Sequence, residues 1–233
     1  MKLKAWVFIG FLILSIFLFG KPKNVLGNNK TFSDLFNLYR QKDYQEILTR
    51  IDKNSQSNLH HSEQTALLKV VSLLALDQLE NAREFILDQE KNSYPGLSEH
   101  FWSLYLDALL SKKQLDRIQD AYHHFQLLST LTPLLYFQSL KIAEQFRLNM
   151  NYNQALIYYI ESLHYAYDES ERLNALMGIC RVFTERGFFK ESLLFTKKIY
   201  YSYQTMTSRQ ARALIESFVD QLDPSEFPEK TRL

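Results

Sequence analysis

Glycine and proline are scarce in this 233-residue chain, with six and five residues respectively, and cysteine occurs once. A many-stranded β protein needs turn-formers at every hairpin, so that scarcity argues for helices. One thiol cannot form an internal disulfide, so oxidative cross-links within the chain do not hold this fold. Strong charge of either sign is also missing. The formal net charge is +1, and four lysines at positions 2, 4, 21 and 23 account for more than that, leaving −3 for the rest. Such a balance does not provide the basic surface that nucleic acid requires. What the chain does have is 46% hydrophobic and 23% charged residues, the composition of a folded protein.

One long uncharged run stands at the start, over residues 5–20, preceded by Lys2 and Lys4 and followed by Lys21, Pro22 and Lys23. A basic start, an apolar stretch and small residues near a cut are the layout of a signal peptide, with cleavage expected after Gly27. Sixteen helical residues rise about 24 Å, less than the ~30 Å hydrocarbon core. Flanking lysines can snorkel to make up the difference, so an uncleaved anchor is the second reading of residues 1–27. Either way the chain is expected to be exported, periplasmic or secreted, or held at the inner membrane by residues 5–20. Membrane contact is expected only through this segment.

From Thr31 onward, apolar residues at helical spacing alternate with short polar breaks. The breaks recur. Ile47, Ala82, Ile118, Ala155 and Ser192 each stand three residues after a large apolar or aromatic one, at separations of 35, 36, 37 and 37. Nine residues before them come Leu38, Leu73, Leu109, Phe146 and Phe183. Four residues after the first four come Ile51, Ile86, Tyr122 and Tyr159, and three after Ser192 comes Phe195. A period in the mid-thirties fits a helix, a tight turn, a second helix and a connector. The spacing predicts helix pairs at 31–41 with 44–55, 61–76 with 79–91, 97–111 with 114–129, 133–148 with 152–166, and 169–186 with 188–203. A lone helix is expected at 207–222, before a tail at 224–233 marked by Pro224 and Pro228.

This pattern resembles tetratricopeptide repeats. Trp102 with Leu106 and Leu109 matches the family's first helix, Ala82 and Ala155 match its small residue, and Gly187 falls in a turn. Pro95 and Pro133 read as connector residues that terminate helices. The family's usual first-helix glycine is replaced by Leu35, Val70, Leu106, Ala143 and Cys180. The resemblance implies an all-α fold: a right-handed α-solenoid of about five hairpins over residues 28–223, capped by the C-terminal helix. It also implies that one stripe of each first helix faces a protein or peptide partner. By register that stripe contains Phe36, Tyr39 and Arg40; Leu67, Val71 and Leu74; Ser103, Asp107 and Leu110; Leu140, Glu144 and Arg147; and Met177, Arg181 and Thr184. The alternative reading of Leu67, Val71 and Leu74 is core. Tyr200, Tyr201 and Tyr203 add interface candidates, since tyrosine buries area at low entropic cost while its hydroxyl stays wet.

No residue set points to catalysis or a cofactor. The six histidines include no helical HExxH, and the neighbours His123 and His124 point about 100° apart on a helix, so they cannot share one metal ion. No glycine-flanked serine, phosphate loop or dinucleotide fingerprint occurs. Cys180 sits among Ile179, Val182 and Phe183 and reads as a small core residue. The expected function is therefore an exported, non-catalytic interaction scaffold of the periplasm or cell envelope. A membrane-anchored assembly subunit of an envelope complex is the second reading.

Overall fold

The computed structural model describes residues 29–53, 63–92 and 95–202. Every regular element among the described residues is helical, and the chain is all-α. It divides into two compact units, residues 1–77 and 78–233. The segment at 1–27 expected as a signal peptide or anchor, the helix expected at 207–222, the tail expected at 224–233 and Tyr203 lie outside the described residues.

In the first unit, α1 (Asn29–Gln41), α2 (Tyr44–Lys53) and α3 (Glu63–Ala75) pack against one another. Leu35, Ile47, Ile51 and Leu68 form their shared core, with Phe32, Leu38, Tyr39 and Tyr44 closing its sides. The α2 start is capped by Asp43, whose carboxylate accepts the Glu46 N–H at 3.2 Å. Lys69 on α3 reaches Asp52 on α2 at 2.9 Å.

The second unit holds α4 (Leu79–Asn92), α5 (Pro95–Ser111), α6 (Ile118–Leu128), α7 (Thr132–Leu148), α8 (Tyr152–Tyr165), α9 (Glu169–Glu185) and α10 (Phe189–Ser202). α5 packs on α4, α6 and α7; α7 packs on α8 and α9; α9 packs on α8 and α10. Two departures from the spacing appear. The stretch expected as one helix from residue 114 opens as a 3-10 turn, Leu115–Arg117, before α6 begins. Arg117 is tied back there, its N–H to the Gln114 carbonyl at 3.3 Å and its guanidinium to the Gln114 side chain at 3.2 Å. Pro95 and Pro133 stand inside the first turns of α5 and α7 rather than in connectors. A first-turn N–H has no intrahelical partner to lose, so proline costs nothing there.

Trp102 anchors the α4–α5–α6 packing. It is fully buried, donates its indole N–H to Glu90 on α4, and stacks on His124 of α6 with centroids 4.8 Å apart. Buried Glu99 accepts the Thr130 N–H at 3.2 Å, fixing the chain between α6 and α7.

Five turns carry the repeat. Lys42, Asp77, Lys113, Met150 and Gly187 all have positive φ, between 57° and 79°, and each precedes the small or branched register residue by five positions. In four of them the next residue's N–H closes a six-residue loop: Asp43 to Leu38, Gln114 to Leu109, Asn151 to Phe146 and Phe188 to Phe183, at 2.8 to 3.0 Å. This left-handed ending satisfies carbonyls that the first helix leaves open. Only Gly187 adopts it without cost, because a β-carbon clashes with the carbonyl in this region. The acceptors are the same large residues read nine positions before the register residue.

The register residues themselves, Ile47, Ala82, Ile118, Ala155 and Ser192, are all fully buried. So are Val70, Leu106, Ala143 and Cys180, with Leu35 nearly so, at the positions where the resembled family has glycine. Burial pushes the Cys180 thiol up to about 11, away from the range of a reactive thiolate.

Candidate functional site

α5, α7 and α9 are the first helices of the third, fourth and fifth pairs, and α7 packs on both of the others. Their side chains are joined by hydrogen bonds about one repeat long. Asp107 on α5 accepts from Lys141 at 2.8 Å and from Gln138 at 3.2 Å, both on α7. Gln138 is buried and its amide also donates to the Ser103 hydroxyl at 2.7 Å and the Ser103 carbonyl at 3.3 Å. Two predicted stripe residues, Ser103 and Asp107, thus meet through Gln138.

One helical turn further along α7 lies the main cluster. Arg147 donates Nε to Glu144 Oε2 at 3.1 Å and Nη2 to Glu144 Oε1, a two-point fork fixed by the i, i+3 spacing. Its remaining Nη1 reaches Glu185 on α9. Tyr159 rises from α8 and donates its hydroxyl to Glu144 Oε2. That ring is admitted by Gly178: a β-carbon on α9 at that point would run into the Tyr159 ring. The glycine lowers helix propensity by about 1 kcal/mol and in exchange lets an aromatic side chain pass.

Electrostatics follow from this geometry. Burial by itself would raise the Glu144 carboxyl, but the hydrogen bonds from Arg147 and Tyr159, with the charges of Arg147 and Arg181, hold it below the ordinary carboxylate value. The Arg147 guanidinium is pushed up by its bond to Glu144. The Tyr159 hydroxyl is raised by burial and by the adjacent carboxylate. Glu144, Arg147 and Tyr159 are therefore each stabilised in the ordinary ionisation state. Nothing here resembles a nucleophile activated by a base.

The structure brings Glu144 and Arg147 together and places Arg181 close enough to act on Glu144. Arg181 is half-buried and makes no hydrogen bond or ion pair among the described residues. Thr184 turns elsewhere: its hydroxyl bonds the Cys180 carbonyl at 3.0 Å and shares a 2.8 Å bond with Ser192, linking α9 to α10. Phe36, Tyr39 and Arg40 belong to the first unit. Phe36 stacks between Phe32 and Tyr39, with centroids 6.4 and 6.1 Å away, and Arg40 is exposed. Tyr39 lies partly over the core, where burial raises its hydroxyl. The side chains of Tyr200 and Tyr201 lie outside the described residues.

Part of the expected stripe is core. Leu67 and Val71 are buried within α3, and Met177 is buried in α9, so these three are unavailable to a partner. Leu74, Leu110 and Leu140 are half-buried. Four residues in these contacts carry no binding assignment from the sequence: Tyr159 and Glu185 in the Arg147 cluster, and Gln138 and Lys141 beside Asp107. Tyr159 reads as packing because it falls in the apolar register. Glu185 carries a usable signal, since it stands 38 residues from Arg147, about one period, with opposite charge.

Among the described residues, no group of three or more His, Cys, Asp or Glu side chains is placed to hold a metal ion. No helix among them is long and apolar enough to cross a membrane. What the cluster offers is an array of carboxylate oxygens around one guanidinium, with a second guanidinium beside it. Such a set can orient a ligand's polar groups. Models of known protein families give no match to the chain, and no curated protein matches it.

Proposed function

We propose that residues 28–223 form a right-handed α-solenoid of about five tetratricopeptide-like hairpins, and that the chain is an exported, non-catalytic scaffold that binds a protein or peptide segment. Recurrence carries this reading: a left-handed residue falls five positions before a fully buried register residue in each of five helix pairs. Bonds one period long support the stacking of successive pairs, including Arg83 to Asp120, Arg117 to Glu80, Lys141 to Asp107 and Arg147 to Glu185. The ligand-facing part is the stripe on α5, α7 and α9 where Lys141 and Arg181 stand beside satisfied carboxylates. Half-buried leucines there supply apolar contact, and Arg181 supplies a cation for a ligand acceptor.

Selection of displayed random peptides on the protein tests the proposal. An enriched sequence class is expected, with affinity falling roughly tenfold or more in Arg181→Glu, the usual cost of reversing a desolvated charge contact. No enrichment, or enriched peptides indifferent to Arg181→Glu, would contradict it. Release of soluble fragments from peptidoglycan by the purified protein would contradict the non-catalytic part.

A further inference from the structure

Arg181 is half-buried on α9 and has no hydrogen bond or ion pair among the described residues, although two acids stand near it. Glu185 follows it by four positions, the spacing at which a base and an acid on one helix meet. Arg147 has taken that acid instead, reaching across from α7 to Glu185 Oε1. Glu144 is close enough to feel the Arg181 charge, yet both its oxygens are already bonded, Oε1 to Arg147 and Oε2 to Arg147 and Tyr159. Arg147 is therefore the hub that serves both acids, and the N–H donors of Arg181 are left without an acceptor.

What is missing there is an acceptor rather than a counter-charge. Arg147 and Arg181 stand against Glu144 and Glu185, two cations against two anions, with Tyr159 kept neutral by burial and the adjacent carboxylate. The next pair along the stripe, Lys141 with Asp107, is balanced as well. Arg186, the cation after Glu185, is turned to α8, where it donates to Asn153 and lies over the Phe188 ring. Glu169, Glu171 and Arg172 stand at the opposite end of α9.

We infer, on the peptide-binding reading of this stripe, that α9 holds the main chain of an extended peptide segment, Arg181 donating to a peptide carbonyl and Glu185 Oε2 accepting a peptide N–H. Glu185 is exposed and uses only Oε1 for Arg147, so its second oxygen is open among the described residues. A donor and an acceptor one helical turn apart on one face match the edge of an extended main chain, which presents carbonyl and N–H together. Neutral groups suit a place where charge is already balanced. A ligand carboxylate on Arg181 would be a third anion beside Glu144 and Glu185, facing two guanidiniums. Main-chain bonds then supply affinity, and the choice among segments falls to apolar contacts such as half-buried Leu140, one turn before Glu144 on α7.

An ester scan tests the inference, with synthetic copies of a displayed random peptide enriched on the full chain. Each main-chain amide is replaced in turn by an ester, which removes the N–H and weakens the carbonyl as an acceptor. At least one ester is expected to raise the dissociation constant roughly tenfold, the equivalent of one hydrogen bond to a charged group. That penalty should shrink to about twofold on Arg181→Met or Glu185→Ala, whichever side chain the position meets. Replacing the peptide's Asp and Glu by Asn and Gln, or amidating its C-terminus, should change affinity by about twofold or less. The scan on the parent chain decides even where a variant does not fold. A peptide that tolerates every ester, or that loses roughly tenfold when its side-chain or terminal carboxylates are neutralised, would overturn the main-chain assignment while leaving peptide binding itself intact. Absence of any enriched peptide would remove the binding reading and this inference with it.

Discussion

Two sets of ionic bridges span neighbouring repeats in the second unit, and they differ in what surrounds them. Between the second and third pairs, Arg83 meets Asp120 and Arg117 meets Glu80, with both acids mostly open to water. Between the fourth and fifth, Arg147 has a side chain only 14% exposed and holds Glu144 and Glu185 together under the Tyr159 ring. Both sets report the same one-repeat spacing. Only the second has a guanidinium largely withdrawn from solvent, so its loss is the more expensive one, because exposed pairs are screened and entropically costly to hold. Repeat spacing therefore locates such bridges, while burial decides which of them matter.

The largest expected effect in that comparison comes from filling the space that admits Tyr159. Gly178→Ala should destabilise the protein by roughly 3 kcal/mol in urea titration, overpacking exceeding the helix propensity gained. If alanine were neutral, the ring would not be held where the structure places it. Arg147→Leu should cost about 2 kcal/mol, since it leaves the half-buried Glu144 with the Tyr159 hydroxyl as its hydrogen-bond donor and only the unbonded charge of Arg181 nearby. Smaller still is the acid limb. Glu144 is held below its ordinary value in the fold, so its contribution is present above the unfolded carboxylate value of about 4.3 and is lost as pH falls through the folded one. Glu144→Gln should flatten the stability profile in that window, and an unchanged profile would place the charge elsewhere. At the other end, Arg117→Ala should change stability by about 0.5 kcal/mol or less. A loss as large as that of Arg147→Leu would erase the distinction.

The helices were legible because their signal is written twice, once as apolar spacing within each helix and once as recurrence between pairs. Ile47, Ala82, Ile118, Ala155 and Ser192 span a bulky aliphatic, a methyl and a hydroxyl side chain, yet all five are fully buried, so position rather than residue type carried the information. The turns were legible in place but not in conformation. Gly187 suggests a left-handed residue, whereas Lys42, Lys113 and Met150 adopt one against their own preference, held by the helix-ending bonds to either side. The stripe on α5, α7 and α9 was legible as a set of charges. Its organisation was not, because it depends on Tyr159 crossing from another helix and on the absence of a β-carbon at Gly178, and neither appears in a one-dimensional pattern. Leu67, Val71 and Met177 show the limit of register as a guide to exposure: the face it marks as open is apolar there and is buried.

A five-variant scan of the turns tests the recurrence most directly. Valine placed singly at positions 42, 77, 113, 150 and 187 meets the same forbidden region at every site, since a β-branched side chain tolerates positive φ least. Urea denaturation should show each variant losing about 1 to 2 kcal/mol, with position 187 at the upper end because glycine stands there now. A valine accepted without loss at any one of the five would mean that its pair does not end in the shared turn, and the repeat would be broken at that place.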